Sequence, residues 1–340
     1  MSQVEAHEHR PGEVMRYSTP AWFALLIIAA VTAAGCSRPD ASSEGDAGGL
    51  VAAVASYDIV AGRPARFIVG LYTADQSQTL AYGTVSFSFT HLGDRDGSDA
   101  GGQPPVGPVD AVFLPIPGQD LDLGTSEPKM VAGSEATGVY AAPDVEFERA
   151  GFWEVTVIAN VDHRTETTTG AFEVLATSDV PDVGELAPRT RQPLAGDPSV
   201  DPKAIDSRAD ANTPVPDPEL HDITLADAIA TARPAMVVVS TPTFCVSRFC
   251  GPITDSVHEL ALRYGDRMEF IHLEVWQDFE ANQLNPAAAE WIAPTPETQG
   301  GEPWVFVIDA AGIIVQRFDN VASEAELLAA VEDSLGEADS

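Results

Sequence analysis

The hydrophobic period of this chain changes once along its length, and that change dictates the architecture. From about Leu50 to Ala176 apolar side chains recur at every second position. Val85, Phe87 and Phe89 alternate with Thr84, Ser86, Ser88 and Thr90, and Trp153, Val155 and Val157 alternate with Glu154, Thr156 and Ile158. Successive side chains of a strand point to opposite faces, so this pattern predicts half-buried strands rather than helices. Ala65 to Tyr72 and Gly170 to Leu175 are further strand candidates, with turns at Ala61-Gly62-Arg63-Pro64 and Arg149-Ala150-Gly151. Short strands at this spacing favour an antiparallel sandwich. Gly93 to Lys129 is rich in Gly, Asp and Pro and reads as a long loop. Asp94 to Asp99 within it clusters carboxylates as calcium loops do, without the downstream Glu, and reads as solvated loop.

A second regime begins at Asp222, where helices alternate with short apolar strands. Thr224 to Asp227 opens a helix as a capping box with Asp in place of Glu, and Met236 to Val239 is a run suited to a central buried strand. A helix over about Ile253 to Tyr264 and a strand over Phe270 to Trp276 follow. Asn285 caps a short helix from Pro286 to Trp291, and Trp304 to Ile308 with Ile313 to Phe318 form a hairpin. Ser323 to Glu326 is a capping box, and its helix carries Leu327, Val331 and Leu335 on one face. Between the two regimes, residues 178–220 hold eight prolines among small and acidic residues, a composition that predicts an extended, semi-rigid linker. Cleavage there should leave two folded fragments.

Composition excludes several function classes. At 340 residues the chain has room for two domains with their own cores, and 44% hydrophobic residues rule out wholesale disorder. Its net charge of −34 opposes phosphate backbones, so no nucleic-acid partner is expected. At the N-terminus, Arg10 and Arg16 precede an uncharged stretch of 15 residues, Ala21 to Gly35, too short for a helical bilayer span. It ends in Ala33-Ala34-Gly35-Cys36 and a polar run, with Met15 as an alternative start. This resembles the lipobox of bacterial lipoproteins, with Ala33 where Leu is usual. The resemblance implies a signal peptide over 1–36, lipidation at Cys36, a tether over 37–49, and a protein held at the extracytoplasmic face of the cell membrane.

Setting Cys36 aside leaves Cys245 and Cys250, a pair that an extracytoplasmic compartment allows to oxidise. They lie in Ser240-Thr241-Pro242-Thr243-Phe244-Cys245-Val246-Ser247-Arg248-Phe249-Cys250-Gly251-Pro252, just after the predicted central strand. Together with Gly301-Glu302-Pro303-Trp304 downstream, this segment resembles extracytoplasmic thioredoxin-family lipoproteins over about Leu225 to Leu335. The resemblance implies an α/β thioredoxin-like domain over 221–337, a cis bond at Pro303 facing the cysteines, and a redox-active pair. The sandwich over 50–177 resembles an immunoglobulin-like module, though it has no cysteine for an inter-sheet disulfide. The fold class expected is therefore multi-domain, an all-β sandwich followed by an α/β domain.

Two alignments of the pair remain open. Counting from the strand places Cys245 as the attacking thiolate and Cys250 as the resolving one, with four residues between them where thioredoxins have two. Matching Gly251-Pro252 places Cys250 in the attacking role instead. The first is preferred. No counterpart of the buried acid that assists proton transfer in many thioredoxins is visible, because the strand reads Val237-Val238-Val239. The leading function is thiol-disulfide exchange on extracytoplasmic protein thiols and disulfides, with Cys245, Cys250 and Pro303 at the site and no cofactor. Copper delivery by the same cysteines with His258 or His272 is one alternative, and a non-catalytic binding lipoprotein with a structural disulfide is another. Trp276 and Trp304 either line a peptide groove or pack against the sheet. Zinc-ligand spacing, phosphate loops and a Ser-His-Asp arrangement are not visible in the sequence, and no metal site is expected.

Overall fold

The computed structural model describes residues 49–98, 104–119, 121, 127–132, 137–210, 212–245, 247–292 and 301–338. The segment expected to be a signal peptide, Cys36, and nearly all of the expected tether lie outside these residues. Nine strands come first: β1 (Leu50–Val54), β2 (Pro64–Thr73), β3 (Gln78–Ala81), β4 (Thr84–Gly93), β5 (Val106–Pro115), β6 (Lys129–Ala132), β7 (Gly138–Glu146), β8 (Gly151–Val161) and β9 (Arg164–Val174). They are hydrogen-bonded in the order β6-β3-β2-β7-β5-β4-β8-β9, with β1 also on β2, and every pairing is antiparallel. The sheet doubles over on itself because β5 changes partner along its length. Val106 to Val112 pair with β4, whereas Val112 to Pro115 pair with β7. Phe67 of β2 thereby meets Phe89 of β4 edge to face at 4.8 Å and Phe172 of β9 at 4.7 Å. Such aromatic pairs add about 0.5–1.5 kcal/mol each beyond their buried area.

The expected loop over Gly93 to Lys129 is corrected by β5. Its alternation at Val109, Ala111 and Phe113 is real, but Gly107, Pro108 and Pro115 conceal it. Gly107 sits at φ +96°, where a Cβ would stand 2.7 Å from the Phe87 carbonyl, so the bulge that admits Pro108 requires glycine. Strand β7 escapes a period-two reading for another reason. Tyr140 and Ala142 face the aromatic core, while Val139 and Ala141 are buried on the opposite face.

The second part keeps the predicted order of elements: α1 (Leu225–Ala230), β10 (Ala235–Ser240), α2 (Cys250–Tyr264), β11 (Glu269–Glu274), β12 (Trp276–Asp278), β13 (Gln283–Leu284), α3 (Pro286–Ile292), β14 (Trp304–Ile308), β15 (Ile314–Asp319) and α4 (Glu324–Ala338). The short pair β12 and β13 is an unforeseen insertion after β11. A four-stranded sheet runs β11-β10-β14-β15, with β10 and β11 parallel and the other pairs antiparallel. Residues of β10 divide between two cores. Met236 and Val238 join Ile253, Val257 and Leu260 of α2 and Leu327, Val331 and Leu335 of α4 on one side. Val237 and Val239 join Leu225 and Ile229 of α1 and Trp291 of α3 on the other. The caps form as the sequence predicts: Thr224 Oγ1 accepts from the Asp227 amide at 3.2 Å, Asn285 Oδ1 from Ala287 at 3.1 Å, and Ser323 Oγ from Glu326 at 3.2 Å.

The proline-rich segment is not an extended linker. Asp182, Ala187, Thr190 and Gln192, and then Ala204, Ile205, Asp206, Ser207 and Ala209, are buried. Thr190 Oγ1 accepts from the Trp291 indole at 2.9 Å, and the Ser207 amide donates to Glu274 at 2.8 Å. Pro202 and Pro218 open short 3-10 turns within a segment that is packed, so proline content alone does not mark it as linker. All described residues belong to one compact unit, Gly45–Ser340. Ile68 and Val139 from the first sheet share a core with Val305, Phe318 and Val321. Arg66 reinforces the contact through Glu326 at 3.0 Å. A partly exposed ion pair contributes under about 1 kcal/mol, whereas each fully buried Ile or Val contributes about 1.5–3 kcal/mol. Apolar contact therefore dominates where the two sheets meet. No helix among the described residues is long and apolar enough to cross a membrane.

Candidate functional site

Strand β10 ends at Ser240, and the chain turns at once, with the amides of Phe244 and Cys245 donating to the Thr241 carbonyl at 3.2 and 3.1 Å. That turn delivers Cys245 back to the start of α2, where it forms a disulfide with Cys250. Thr254 fixes the receiving end. Its hydroxyl bonds to the Cys250 carbonyl at 2.8 Å and to Ser240 Oγ at 2.7 Å, joining the first turn of α2 to the end of β10. The two sulfurs are placed unequally: Cys250 is fully buried as the first residue of α2, whereas Cys245 is half-buried in the loop with Ser247 Oγ 3.2 Å from its sulfur. Phe249, the N-cap residue of α2, makes no side-chain capping bond, and the amides of the helix start favour negative charge near Cys250.

The peptide bond between Glu302 and Pro303 is cis. A Glu302 carboxylate oxygen and the two cysteine sulfurs lie within 4.8 Å of one another. Burial, with a smaller contribution from the charge of Glu274, pushes the Glu302 carboxyl up to about 7. The strand sequence offers no acidic side chain near the pair, whereas Glu302 brings a carboxyl within 4.8 Å of both sulfurs. Tyr57, from the connection between β1 and β2, closes one side of the site. Its hydroxyl donates to the Glu302 carbonyl at 3.0 Å, and its ring lies where a Cβ on Gly301 would stand 2.8 Å away. On the loop side, Phe244 stacks on Phe279 with parallel rings at 4.1 Å, and Trp276 meets Phe279 edge-on at 5.5 Å. Phe279 is 44% exposed.

Other expectations fall in different places. The Pro303 carbonyl accepts from the Asn320 amide at 2.8 Å and the Glu302 carbonyl from the Tyr57 hydroxyl at 3.0 Å, so both carbonyls of this turn already have partners within the protein. His258 lies 3.2 Å from Asp217 and 3.2 Å from Glu219. His272 is buried in β11 against Ser240 and Asp206. Among the described residues neither imidazole belongs to the group around the sulfurs, which holds Glu302 instead. Trp304 is buried, whereas Trp276 is half-buried beside the loop. The Asp94 carboxylate is engaged by Arg149 at 2.7 Å. Sequence reading passed over Glu302 although it directly precedes the proline singled out, and that adjacency was the available signal. Tyr57, some 245 positions away in the chain, carried none.

No protein-family model matches the chain, and no curated protein matches it. Among solved structures, the chain is similar to a thioredoxin-family thiol:disulfide interchange protein from Chlorobium tepidum TLS, at 16% identity and a TM-score of 0.24, over 45% of this chain and 99% of that one.

Proposed function

We propose that the chain is a thiol-disulfide exchange protein in which Cys245 is the sulfur that meets the partner and Cys250 resolves. The observation that carries this reading is the unequal exposure of a disulfide at the start of a helix. Exchange proceeds by thiolate attack on a disulfide sulfur through a mixed disulfide, so a partner engages the sulfur it can reach. In the reduced protein the Cys245 thiolate attacks one sulfur of a partner disulfide. That bond breaks, and its electron pair leaves on the partner's other sulfur. Cys250 thiolate then attacks Cys245 Sγ, re-forms the internal disulfide and releases the second partner thiolate, so two electrons pass to the partner. In reverse, Cys250 is the leaving group, and the helix N-terminus stabilises its thiolate.

Glu302 handles the protons. With its midpoint near 7, it accepts a proton from a cysteine thiol as attack begins and returns one to a departing thiolate. The exposed face of Phe279 beside Phe244 supplies apolar contact for a partner polypeptide. In the same reading the α/β part is thioredoxin-like, the doubled-over sheet is an immunoglobulin-like spacer or docking module, and a lipid on Cys36 holds the protein at the extracytoplasmic face. The motif around Cys36 and the oxidised pair support that placement. A redox titration with mass-shift labelling tests the exchange. A potential above roughly −300 mV is expected, and a lower one marks a static staple.

A further inference from the structure

Beneath the cysteine loop, three side chains that the exchange chemistry does not use converge from distant parts of the chain. Asp206 comes from the proline-rich segment, His221 from the turn before α1, and His272 from β11. They are 0%, 1% and 1% exposed. One carboxylate oxygen and one nitrogen of each ring lie within 4.8 Å of one another. Asp206 Oδ2 stands 3.5 Å from His221 Nε2 and 3.4 Å from His272 Nδ1, longer than good N–H to O hydrogen bonds. Neither nitrogen has a hydrogen-bond partner among the described residues. The far side of His272 sets its tautomer: Nε2 lies 3.1 Å from the Ser240 carbonyl, which can only accept, so Nε2 carries the hydrogen. In the neutral ring, Nδ1 then aims a lone pair at a carboxylate oxygen. Facing acceptors in a buried place are costly unless a proton or a metal cation lies between them.

We propose that Asp206, His221 and His272 form a binding site for a divalent cation of the zinc class. Two imidazoles and a carboxylate are a donor set suited to zinc. At zinc bond lengths of about 2.0–2.1 Å, donors at tetrahedral angles stand about 3.3–3.4 Å apart. The observed separations of 3.4 and 3.5 Å match that edge. Outer contacts hold the donors in place, as they do around metal ligands generally. Ser240 orients His272, while Arg208 bonds both oxygens of Asp206, through Nε at 3.0 Å and Nη2 at 2.7 Å. The charge of Arg208 does not repel the ion decisively, because Asp217 at 2.6 Å and Asp255 at 3.0 Å also pair with it, and Glu274 follows His272 by two residues. Carboxylates outnumber cations here. A bound ion would tie the proline-rich segment to β11, and Ser207 Oγ, which accepts from the Thr243 amide at 3.1 Å, would pass that order to the cysteine loop.

The test is zinc titration of the full-length chain, stripped with a chelator and kept oxidised, against a chromophoric competitor, with cobalt(II) absorption reporting geometry. One zinc per chain and a tetrahedral cobalt spectrum without thiolate charge transfer are expected. His221→Gln and His272→Gln should each weaken binding by at least about 100-fold, the upper end of outer-contact effects, and abolish the zinc-dependent rise in Tm. The double variant Cys245→Ser with Cys250→Ser, and His258→Gln, should bind as the unaltered chain does. Absence of stoichiometric zinc, unaltered binding in His221→Gln, or loss of binding in the cysteine double variant would overturn the proposal. Should His272→Gln fail to fold, the stoichiometry of the unaltered chain and the affinity of His221→Gln still decide. Loss of disulfide exchange alone leaves this site untouched.

Discussion

In the proposed exchange the proton chemistry turns on Glu302, and its raised midpoint fixes the direction of two effects. The folded protein keeps a proton on this carboxyl between its ordinary value of 4.5 and about 7, where the unfolded chain has lost it. Stability from this group therefore falls as pH rises through that window. Glu302→Gln removes the dependence, so its Tm should gain on the unaltered protein by roughly 2–4 °C on going from pH 5 to pH 8, measured calorimetrically. The same substitution should lower exchange at pH 7 on the order of 10²-fold and flatten the limb of the pH profile near neutrality. An unchanged profile would remove Glu302 from the mechanism. Gly301 is the companion case. Because Tyr57 lies over it, Gly301→Ala should displace the ring and free the Glu302 carbonyl, detectable as altered tyrosine fluorescence and a shifted profile.

Helix α4 shows how an element is held and what the sequence revealed of it. Ser323 and Glu326 bond reciprocally at its start, and Glu326 also reaches Arg66 of β2. Ser323→Ala should cost about 1 kcal/mol in urea unfolding, with no change in the disulfide's potential. Caps of this kind, the alternation at β4 and β8, and the buried run of β10 were legible because each is written in neighbouring residues. The elements that were hidden depend on partners far away. Strand β5 was masked by the glycine and prolines of its bulge, and β7 by having both faces covered. The turns around Asp206 looked like linker because their apolar content is low, yet it is packed. The site divides in the same way: Cys245, Cys250 and Pro303 were visible as a pattern, whereas Tyr57 and the pairing of Asp206 with His221 and His272 required the fold.

At the scale of the molecule, the shared core between the two sheets replaces the expectation of independent fragments with one of joint unfolding. Ile68 is fully buried against the residues around Phe318, so Ile68→Ala should destabilise by about 2–5 kcal/mol. Tryptophan fluorescence, reporting Trp153 in one part and Trp291 in the other, should move as a single transition. Two separated transitions, or two stable fragments after cleavage within 178–218, would show instead that the packing between the sheets is weak. Attachment is tested at the same scale. Cys36→Ser should abolish acyl labelling and release the protein from membranes without detergent, whereas unchanged fractionation would remove the anchor from the account.

The central claim is that Cys245 engages a partner and Cys250 resolves the product, and trapping in the native compartment tests it most directly. Without the resolving thiol a mixed disulfide has no internal exit, so Cys250→Ser should accumulate covalent adducts through Cys245 on non-reducing gels, and Cys245→Ser should not. Adducts with Cys245→Ser alone would reverse the roles. If neither variant traps a partner and both only lose stability, by about 2–3 kcal/mol, the pair is a structural staple and the exchange reading fails.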